Sequence, residues 1–387
     1  MLFIEYPKCS TCQKAKKWLE AHQIDFTDRH IKEENPTKAE LEAWQKQSGL
    51  PLKKFFNTSG LLYKEMNLKD RVLNDRELMT KCLSFLSIIV LSVVFCFMNP
   101  TFLSPRNILN LLKDMSPVMV MAAGQAFVLM LGSIDLSTGT MASCSAVMLT
   151  ILLSRIGPWA YFVVLAFGLT AGLLNGTIQA KLGIPSFIAT LSTQAIWQSL
   201  AYVISGGMPL SMAKPVWIYV DWGKVKFFNC IPLLFIVAFL VLIILSVVSR
   251  FTGIGHTVLA TGANERATWL IGRNVKKAKI VAFVFSSLGA CIGGILFAVK
   301  AKSGIPTVGT QYNMLSIAAA VMGGVSMSGG RGSIFMTLLG ALLITMIQNG
   351  MNVIGIDALW QNIIFGALLL LAIFMNSDKN HKGLVVK

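Results

Sequence analysis

Residues 261–279 have the sequence TGANERATWLIGRNVKKAK, a polar and basic stretch between two long apolar runs. Gly262 and Gly272 are predicted hinges on either side of a short apolar patch. Four cations close the stretch: Arg273, Lys276, Lys277 and Lys279. Such a pattern is typical of a short helix that lies at a membrane surface and faces a soluble partner. The stretch therefore predicts a membrane protein whose main contact surface on one side is this loop.

Composition supports a membrane protein with a different part attached. The 387 residues are 54% hydrophobic and 13% charged, with a mean hydropathy of +0.65, which excludes an ordinary soluble protein. Residues 1–81 hold 27 of the 52 charged side chains. The other 306 residues contain six acids: Asp114, Asp135, Asp221, Glu265, Asp357 and Asp378. Two kinds of protein are therefore joined near residue 80.

The formal net charge of +16 comes mostly from the second part. Cytoplasmic loops and anionic lipid headgroups explain it better than nucleic acid does, so the predicted partner is a lipid bilayer. Seven cysteines, an odd number without the spacing of a disulfide framework, indicate a reducing compartment. The chain opens with the strand-like LFIEY, which gives no sign of a secretory signal.

The charged part begins with a strand, helix, strand and helix pattern. Strands are predicted over 2–6 and 25–31, with a helix over 13–22 between them. Cys9 and Cys12 form a CxxC pair before this helix, where the helix N-terminus favours a thiolate. A zinc site is disfavoured because no second CxxC or histidine pair follows at a usable spacing. The pattern predicts a small α/β fragment of thioredoxin-like type.

Three stretches of this part, YPKCSTCQKAKKWLEAHQIDF, KEENPTKAELEAW and LLYKEMNLKD, resemble the arsenate reductase family and its Spx-type CxxC members. The resemblance implies that Cys9 is a nucleophile and Cys12 its resolving partner. It covers about residues 1–71, and the family's further strands, arginine-bearing loop and closing helix are not visible before the first apolar run. The sequence predicts a truncated domain over 1–72 and a junction over 73–81. It leaves open whether the fragment is an active thiol enzyme or a silent remnant.

The membrane part, predicted over 82–376, contains about ten apolar spans. They are 83–98, 117–131, 139–153, 159–180, 186–204, 231–248, 280–299, 315–326, 334–349 and 359–375. Only some reach the roughly 20 apolar residues that a perpendicular span needs, so short and broken helices are expected. The predicted fold class is mainly α, a polytopic protein with about ten transmembrane helices.

The distribution of cations predicts the orientation of these spans. Placing the N-terminus in the cytoplasm puts the 250–279 loop and the 377–387 tail there too, with most of the loop cations. A smaller set falls outside: Lys214, Lys224, Lys226, Lys300 and Lys302. Both termini are therefore expected to be cytoplasmic.

Two polar motifs interrupt the apolar spans. Residues 132–139, GSIDLSTG, place Asp135 between two spans, where it either caps the next helix with help from Ser137 or acts directly in transport. Residues 172–176, GLLNG, pair small residues that let helices approach, and Asn175 offers an interhelical hydrogen bond. Capping and packing are the favoured interpretations.

A third motif, GGVSMSGGRG over residues 323–332, resembles a phosphate-binding loop at first sight. Gly330 stands where that loop has its lysine, and the stretch follows a membrane span instead of a strand, so nucleotide binding is disfavoured. A tight turn or broken helix at a membrane boundary fits better.

Five stretches carry a second resemblance: GSIDLSTG, GLLNGTIQAKLGIPSFIATLS, ATGANERATWLIGRNVKKAK, AAAVMGGVSMSGGRGS and GALLITMIQNGMNVIG. Together they resemble the permease subunits of ribose-type sugar ABC importers, over about residues 99–375. The resemblance implies a homodimer in a bacterial inner membrane that passes a monosaccharide such as ribose between its subunits. It also implies an extracytoplasmic sugar-binding protein and a separate ATPase that holds ATP and Mg. The permease part itself is expected to bind no cofactor or metal and to catalyse no reaction.

The same resemblance places the 261–279 loop in a groove on the ATPase. The residues expected to couple the two proteins are Gly262, Ala263, Asn264, Glu265, Ala267, Gly272, Lys276 and Lys277. Polar side chains in or beside the spans are the candidate pathway residues: Gln125, Asp135, Asn175, Gln194, Gln348 and Asn349.

Two rival functions stay open at this point. One is a secondary transporter, for which Asp135 is the plausible mid-span carboxylate. The other is a membrane-tethered thiol redox protein that uses Cys9 and Cys12.

Overall fold

The computed structural model describes residues 2–5, 10–30, 40, 86–228, 230–357, 360–361, 363–364 and 366–367. The chain divides into two compact units, Met1–Asp75 and Arg76–Lys387, and each is described by itself. The described part of the first unit is α/β, and that of the second is almost entirely helical.

The first unit contains a strand, a helix and a second strand. They are β1 Leu2–Glu5, α1 Ser10–Ala21 and β2 Thr27–His30. The two strands pair in parallel, with Leu2 opposite Thr27, as a right-handed β-α-β connection allows. An ion pair between Lys16 on α1 and Asp28 on β2 joins the helix to the strand. The predicted α/β fragment is therefore confirmed.

The CxxC pair is only partly within the described residues. Helix α1 begins at Ser10, three residues before the predicted start, so Cys12 lies in its first turn. The Cys12 side chain is half-buried. Cys9 and the end of the predicted domain near residue 72 lie outside the described residues.

The second unit is a helical bundle. Its helices are α2 Leu86–Met98, α3 Pro105–Met130, α4 Thr138–Ile156, α5 Trp159–Leu182, α6 Ser186–Ser205, α7 Leu233–Phe251, α8 Gly253–Ala263, α9 Glu265–Leu270, α10 Val275–Ala301, α11 Tyr312–Met322 and α12 Thr337–Ile354. Each of the first nine predicted spans overlaps one of them. The tenth, 359–375, lies mostly outside the described residues.

Five helices of the described part are long and apolar enough to cross a membrane: α4, α5, α7, α10 and α12. Helices α2 and α11 are shorter apolar helices of the same kind. The polytopic, mainly α fold class is confirmed, with the predicted mixture of long and short helices.

One predicted span begins much too late. The span placed at 117–131 belongs to α3, which starts at Pro105, where Ser104 Oγ accepts a hydrogen bond from Asn107 N. The first turns of α3 carry charged side chains, so a search for apolar runs does not detect them. One of these charges, Asp114, is neutralised by an ion pair with Lys300. Pro117 is buried inside this helix and does not start it.

The outer layer consists of short elements between the helices. Two 3₁₀ turns, Lys214–Tyr219 and Asp221–Lys224, follow α6. Strand β3, Leu210–Ser211, pairs antiparallel with β6, Ser303–Gly304, and β4, Lys226–Phe227, pairs antiparallel with β5, Ile231–Pro232. These elements tie the connection after α6 to the end of α10.

Helices α3 and α10 form the centre of the bundle. Residues 115–130 of α3 are buried, and α10 packs against α3, α4 and α5. A Cβ added at Gly172 or Gly176 of α5 would lie 2.6 Å from the α10 backbone. The predicted packing role of the GLLNG motif is thereby confirmed, because only glycine allows this approach of α5 to α10.

Candidate functional site

The site begins with a non-helical segment, residues 131–137, which we call the strap. It joins α3 to α4 without forming a helix. Ile134 N donates to Ser186 Oγ at 3.2 Å, and Leu136 N donates to Thr190 Oγ1 at 3.1 Å. Side chains of α6 therefore satisfy strap N–H groups that a helix would have satisfied internally.

The strap lies near mid-membrane depth. Its Asp135 is bonded to Ser286, the twelfth residue of the 27-residue helix α10. At 1.5 Å per residue, Ser286 is about 17 Å from the start of a helix long enough to span a bilayer. Non-helical backbone at such depth is tolerated only where protein surrounds it.

The Asp135 carboxylate is the centre of a buried network. Its Oδ1 accepts hydrogen bonds from the Ser137 N–H at 2.9 Å and the Ser137 hydroxyl at 2.6 Å. Its Oδ2 accepts from the Ser286 hydroxyl at 2.8 Å, and Gln125 Oε1 lies 3.2 Å from that hydroxyl. Gln125 Nε2 donates to the backbone oxygen of Asp135 at 3.1 Å, and Asn175 Nδ2 donates to Ser137 Oγ at 3.1 Å.

Three predicted pathway residues, Gln125, Asp135 and Asn175, are thus brought together. All three side chains are fully buried and face one another. They hold α3, α5, α10 and the strap in one arrangement, and none lines either of the two cavities described below. Asp135 closes the turn before α4. Ser137, the residue just before α4, makes no side-chain capping bond to the N–H groups of that helix.

A cavity of about 500 Å³, the α6 groove, lies between α4, α6 and the segment after α10. It is lined by Thr140, Leu191, Gln194, Ala195, Gln198, Tyr202, Thr307 and Thr310. Gln198 Nε2 donates to the Pro306 oxygen at 2.9 Å, and Thr310 Oγ1 lies 3.4 Å from Gln198 Oε1. Amide and hydroxyl groups therefore surround an open space on α6.

Gln194 is the predicted pathway residue in this groove. It stands near the middle of the 20-residue helix α6. Gln198 and Tyr202 follow at four-residue intervals and share its face, a spacing that was visible in the sequence. Thr140, Thr307 and Thr310 come from distant elements and carried no local signal.

The two remaining pathway candidates lie elsewhere. Asn349 exchanges two hydrogen bonds with Asn107, at 2.7 and 3.0 Å, and borders an outer cavity of about 330 Å³ between α3, α10 and α12. Gln348 is half-buried on α12 and lines neither cavity.

The predicted surface helix is present in the 261–279 stretch, but the stretch is not a single loop. Helix α8 ends at Ala263, and α9 follows at once, with Asn264 Oδ1 accepting from Ala267 N at 3.0 Å. Glu265 forms an ion pair with Lys279 at 2.8 Å. Gly272 has a φ of +77°, a conformation that glycine adopts readily, and makes the turn into α10.

Helix α9 presents apolar side chains to the exterior. Trp269, Leu270 and Ile271 are 67%, 68% and 73% exposed, whereas Thr268 is buried and fixes the helix to the bundle. We call the three exposed side chains the α9 surface. Such a cluster beside Arg266 and Lys276 is suited to contact with another protein.

Gly262 is not a hinge, and that prediction is wrong. It lies in the last turn of α8, where an added Cβ would be 2.5 Å from Gly330 N and 2.9 Å from the Met130 carbonyl carbon. Gly330 N donates to Met130 O at 2.8 Å. Glycine is required here for close backbone contact and not for flexibility.

Gly262 belongs to a backbone contact that we call the glycine junction: Gly132, Gly262, Gly329 and Gly330. A Cβ at Gly329 would be 2.7 Å from Gly132 N, and Gly132, Gly329 and Gly330 have positive φ values of 74°, 81° and 72°. The glycine-rich stretch is therefore a tight turn packed on α3 and α8, as the sequence favoured. The junction joins the end of α8 to the start of the strap.

An ion pair joins Lys302, just after α10, to Asp221 in the second 3₁₀ turn. The Lys302 ammonium also lies 3.8 Å from the centre of the Trp217 ring. The hydrogen bond from Lys302, helped by Lys224, lowers the pKa of the Asp221 carboxyl. Within the described ranges, no group of three or more His, Cys, Asp or Glu side chains is placed to hold a metal ion.

Two family models match the chain. One, described as "Branched-chain amino acid transport system / permease component", covers residues 107–373. The other, the ArsC family, covers residues 4–96, which extends past the predicted end near residue 71 and into α2. No solved structure matches the chain.

Similar proteins include several sugar permeases. "Ribose import permease protein RbsC" of Bacillus subtilis (strain 168) is 33% identical over 304 residues, 78% of this chain and 94% of the relative. The protein of the same name from Escherichia coli (strain K12) is 31% identical over 318 residues, 76% of this chain and 93% of the relative. "L-arabinose transport system permease protein AraH" of Escherichia coli (strain K12) is 32% identical over 301 residues, 75% of this chain and 88% of the relative.

Proposed function

The chain belongs to the family of permease components described as "Branched-chain amino acid transport system / permease component", and from this premise we propose that it is the membrane-spanning subunit of an ATP-driven sugar importer. The expected cargo is a monosaccharide such as ribose. The relatives named for ribose and L-arabinose support this choice of cargo. The expected location is the cytoplasmic membrane of a bacterium, with both termini inside.

The observation that carries this proposal is the mixed lining of the α6 groove, apolar surface with several polar groups set in it. Its lining offers two glutamine amides, three threonine hydroxyls and the ring of Tyr202, which match the hydroxyl groups and apolar faces of a sugar. A volume of about 500 Å³ falls in the range of small-molecule sites. The groove is therefore a suitable place for a monosaccharide to pass.

The groove also supports a homodimer. Polar groups at membrane depth are unfavourable against lipid tails, because lipid offers no hydrogen bonds. The groove is open on one side, along a helix with exposed Leu191 and Ile196. A second copy of the chain that covers this side would leave a wet passage between the two subunits. The substrate would then move between two facing α6 helices.

Energy would come from a separate ATPase that binds the α9 surface. Its nucleotide and Mg would remain on that partner, and a sugar-binding protein would deliver cargo on the outer face. ATP binding would shift the bundle between two arrangements through the contact with α8 and α9. No step of this scheme requires a catalytic residue in the permease part.

The rival functions are less well supported by the geometry. A proton-coupled transporter needs an accessible carboxylate, whereas Asp135 is buried and fully hydrogen-bonded within the described residues. Thiol chemistry of the N-terminal unit would rest on the ArsC match and on Cys12 at the start of α1. We propose it only as an additional activity of that unit.

Transport in proteoliposomes would test the proposal. The full chain is reconstituted with its ATPase and its sugar-binding protein, and radiolabelled ribose uptake is measured with ATP on the ATPase side. We expect uptake that needs ATP and survives collapse of the proton gradient. Uptake driven by a proton gradient without ATP would overturn the proposal. A Gln194→Leu variant should transport less while folding normally, since it removes a groove amide.

A further inference from the structure

The strap connects the glycine junction at one end to the α6 groove at the other. Resting on the function proposed above, we infer that the strap transmits movement of α8 and α9 to the groove, and that Asp135 is the positioning residue on which it pivots. The inference concerns how the two ends are linked. It assigns Asp135 neither to substrate binding nor to proton transfer.

The inner end of the strap touches the helix that would move. Gly262 of α8 packs on the Met130 carbonyl, the last turn of α3, and Met130 also accepts from Gly330 N. Two residues later, Gly132 packs against the backbone of Ser328 and Gly329. These are contacts between backbones, so they have little side-chain freedom to absorb a shift. A displacement of α8 is therefore passed to Met130 and Gly132.

The outer end of the strap is bonded to the groove helix. Ile134 and Leu136 both donate backbone hydrogen bonds to α6, to Ser186 and to Thr190. Leu136 O also accepts from Asn313 Nδ2 at 2.7 Å. The strap then continues directly into α4, whose third residue, Thr140, lines the groove. A shift of the outer end thus moves two of the groove walls.

The centre of the strap is fixed to the core. Asp135 Oδ2 accepts from Ser286 of α10, the helix that packs against α3, α4 and α5. Oδ1 closes the turn at Ser137, so one carboxylate contributes to the strap's shape and, together with the Gln125 bond to the Asp135 backbone oxygen, to its attachment. With the centre held and both ends attached to other elements, the strap has the arrangement of a lever.

A neighbouring pair of serines gives a matched test. Ser286 and Ser287 are consecutive on α10 and both fully buried. Ser286 donates to Asp135, whereas Ser287 Oγ has no hydrogen-bond partner among the described residues. Ser286→Ala therefore removes the bond between the Asp135 carboxylate and α10, and Ser287→Ala makes the same chemical change beside it without touching the strap.

The readout is the accessibility of the groove and does not depend on the identity of the sugar. Ala195, which lines the groove and is exposed, is replaced by Cys. In the full complex with the ATPase, the rate of maleimide labelling of that cysteine is followed by peptide mass spectrometry with and without ATP and Mg. We expect the rate to depend on nucleotide in the Ala195→Cys chain and in its Ser287→Ala version.

In the Ser286→Ala version, the dependence on nucleotide should be lost while ATP hydrolysis by the complex continues. Asp135→Asn should also weaken the dependence of the labelling rate on nucleotide. This second variant is used if Ser286→Ala does not fold, as judged by yield and thermal unfolding. Retention of the full nucleotide-dependent change in folded Ser286→Ala and Asp135→Asn proteins would overturn the inference. A parent chain with no nucleotide-dependent change at all would instead contradict the proposed function.

Discussion

Replacing Gly262 by Ala is expected to separate ATP hydrolysis from transport. The new methyl group would lie 2.5 Å from Gly330 N and 2.9 Å from the Met130 carbonyl carbon. The Met130 carbonyl oxygen would be closer still, and favourable contacts of carbon lie near 3.5 to 4.0 Å, so α8 must retreat by at least about 1 Å. Both neighbours are backbone atoms, and neither can rotate out of the way.

The magnitude follows from two costs at the glycine junction. Overpacking of a tight contact costs about 1–3 kcal/mol. The retreat also strains the hydrogen bond from Gly330 N to Met130 O, which is 2.8 Å long, and a typical bond contributes about 1 kcal/mol net. The sum, about 2–4 kcal/mol, would shift the equilibrium between docked and undocked α8 by about 30- to 700-fold.

The assay is the ratio of ribose transported to ATP hydrolysed in the reconstituted complex. Gly262→Ala should still hydrolyse ATP, with a transport-to-hydrolysis ratio lowered at least about 30-fold, the lower end of that range. Gly253→Ala is the matched control on the same helix, because its Cβ would find its nearest neighbour, Arg273 Nη1, at 3.5 Å. A folded Gly262→Ala protein with an unchanged ratio would refute the account of the junction.

Three further predictions concern other parts of the bundle. Gln198→Leu removes a groove amide that also bonds the segment after α10 through one partly buried hydrogen bond. Ribose uptake should fall about tenfold, with normal membrane insertion as the check. Trp269→Ala should weaken co-purification of the ATPase without lowering the thermal unfolding midpoint, because the side chain is 67% exposed. Replacement of the buried Thr268 by Val should instead lower that midpoint. Because the pKa of Asp221 is lowered, its pair with Lys302 stabilises the two 3₁₀ turns fully above the ordinary carboxyl pKa of 3.8, and this stabilisation disappears as the pH falls through the lowered pKa. Hydrogen exchange of residues 214–224 should show the loss, and Asp221→Asn should remove this dependence on pH.

Helix positions were largely predictable because apolar runs are a local property of a sequence. The long runs at 159–180 and 280–299 correspond to α5 and α10 within a few residues. The start of α3 was missed because its first turns are charged, and the partner of the one acid among them, Asp114, is Lys300, 186 positions away. Local hydropathy carries no information about such a partner.

The candidate site was predictable only in part, for the same reason. Polarity inside a span singled out Gln125, Asn175 and Gln194, but it could not separate side chains that bond one another from one that lines a groove. The buried network around Gln125 includes Ser286, which lies 161 residues away in the sequence and was not singled out. The role of Gly262 was misjudged because flexibility and close contact both select glycine, and the two are distinguished only by what lies opposite.

The strap also places a constraint on how the protein is made. Asp135 leaves the ribosome 151 residues before Ser286, the donor that completes its hydrogen bonds. Until α10 is synthesised, an ionisable side chain and a non-helical backbone must be kept away from lipid. Insertion of α3 and α4 is therefore provisional, and the translocation machinery or its chaperones must shelter this hairpin until the later helices arrive. Truncated chains that end before α10 should accordingly be substrates for membrane proteases.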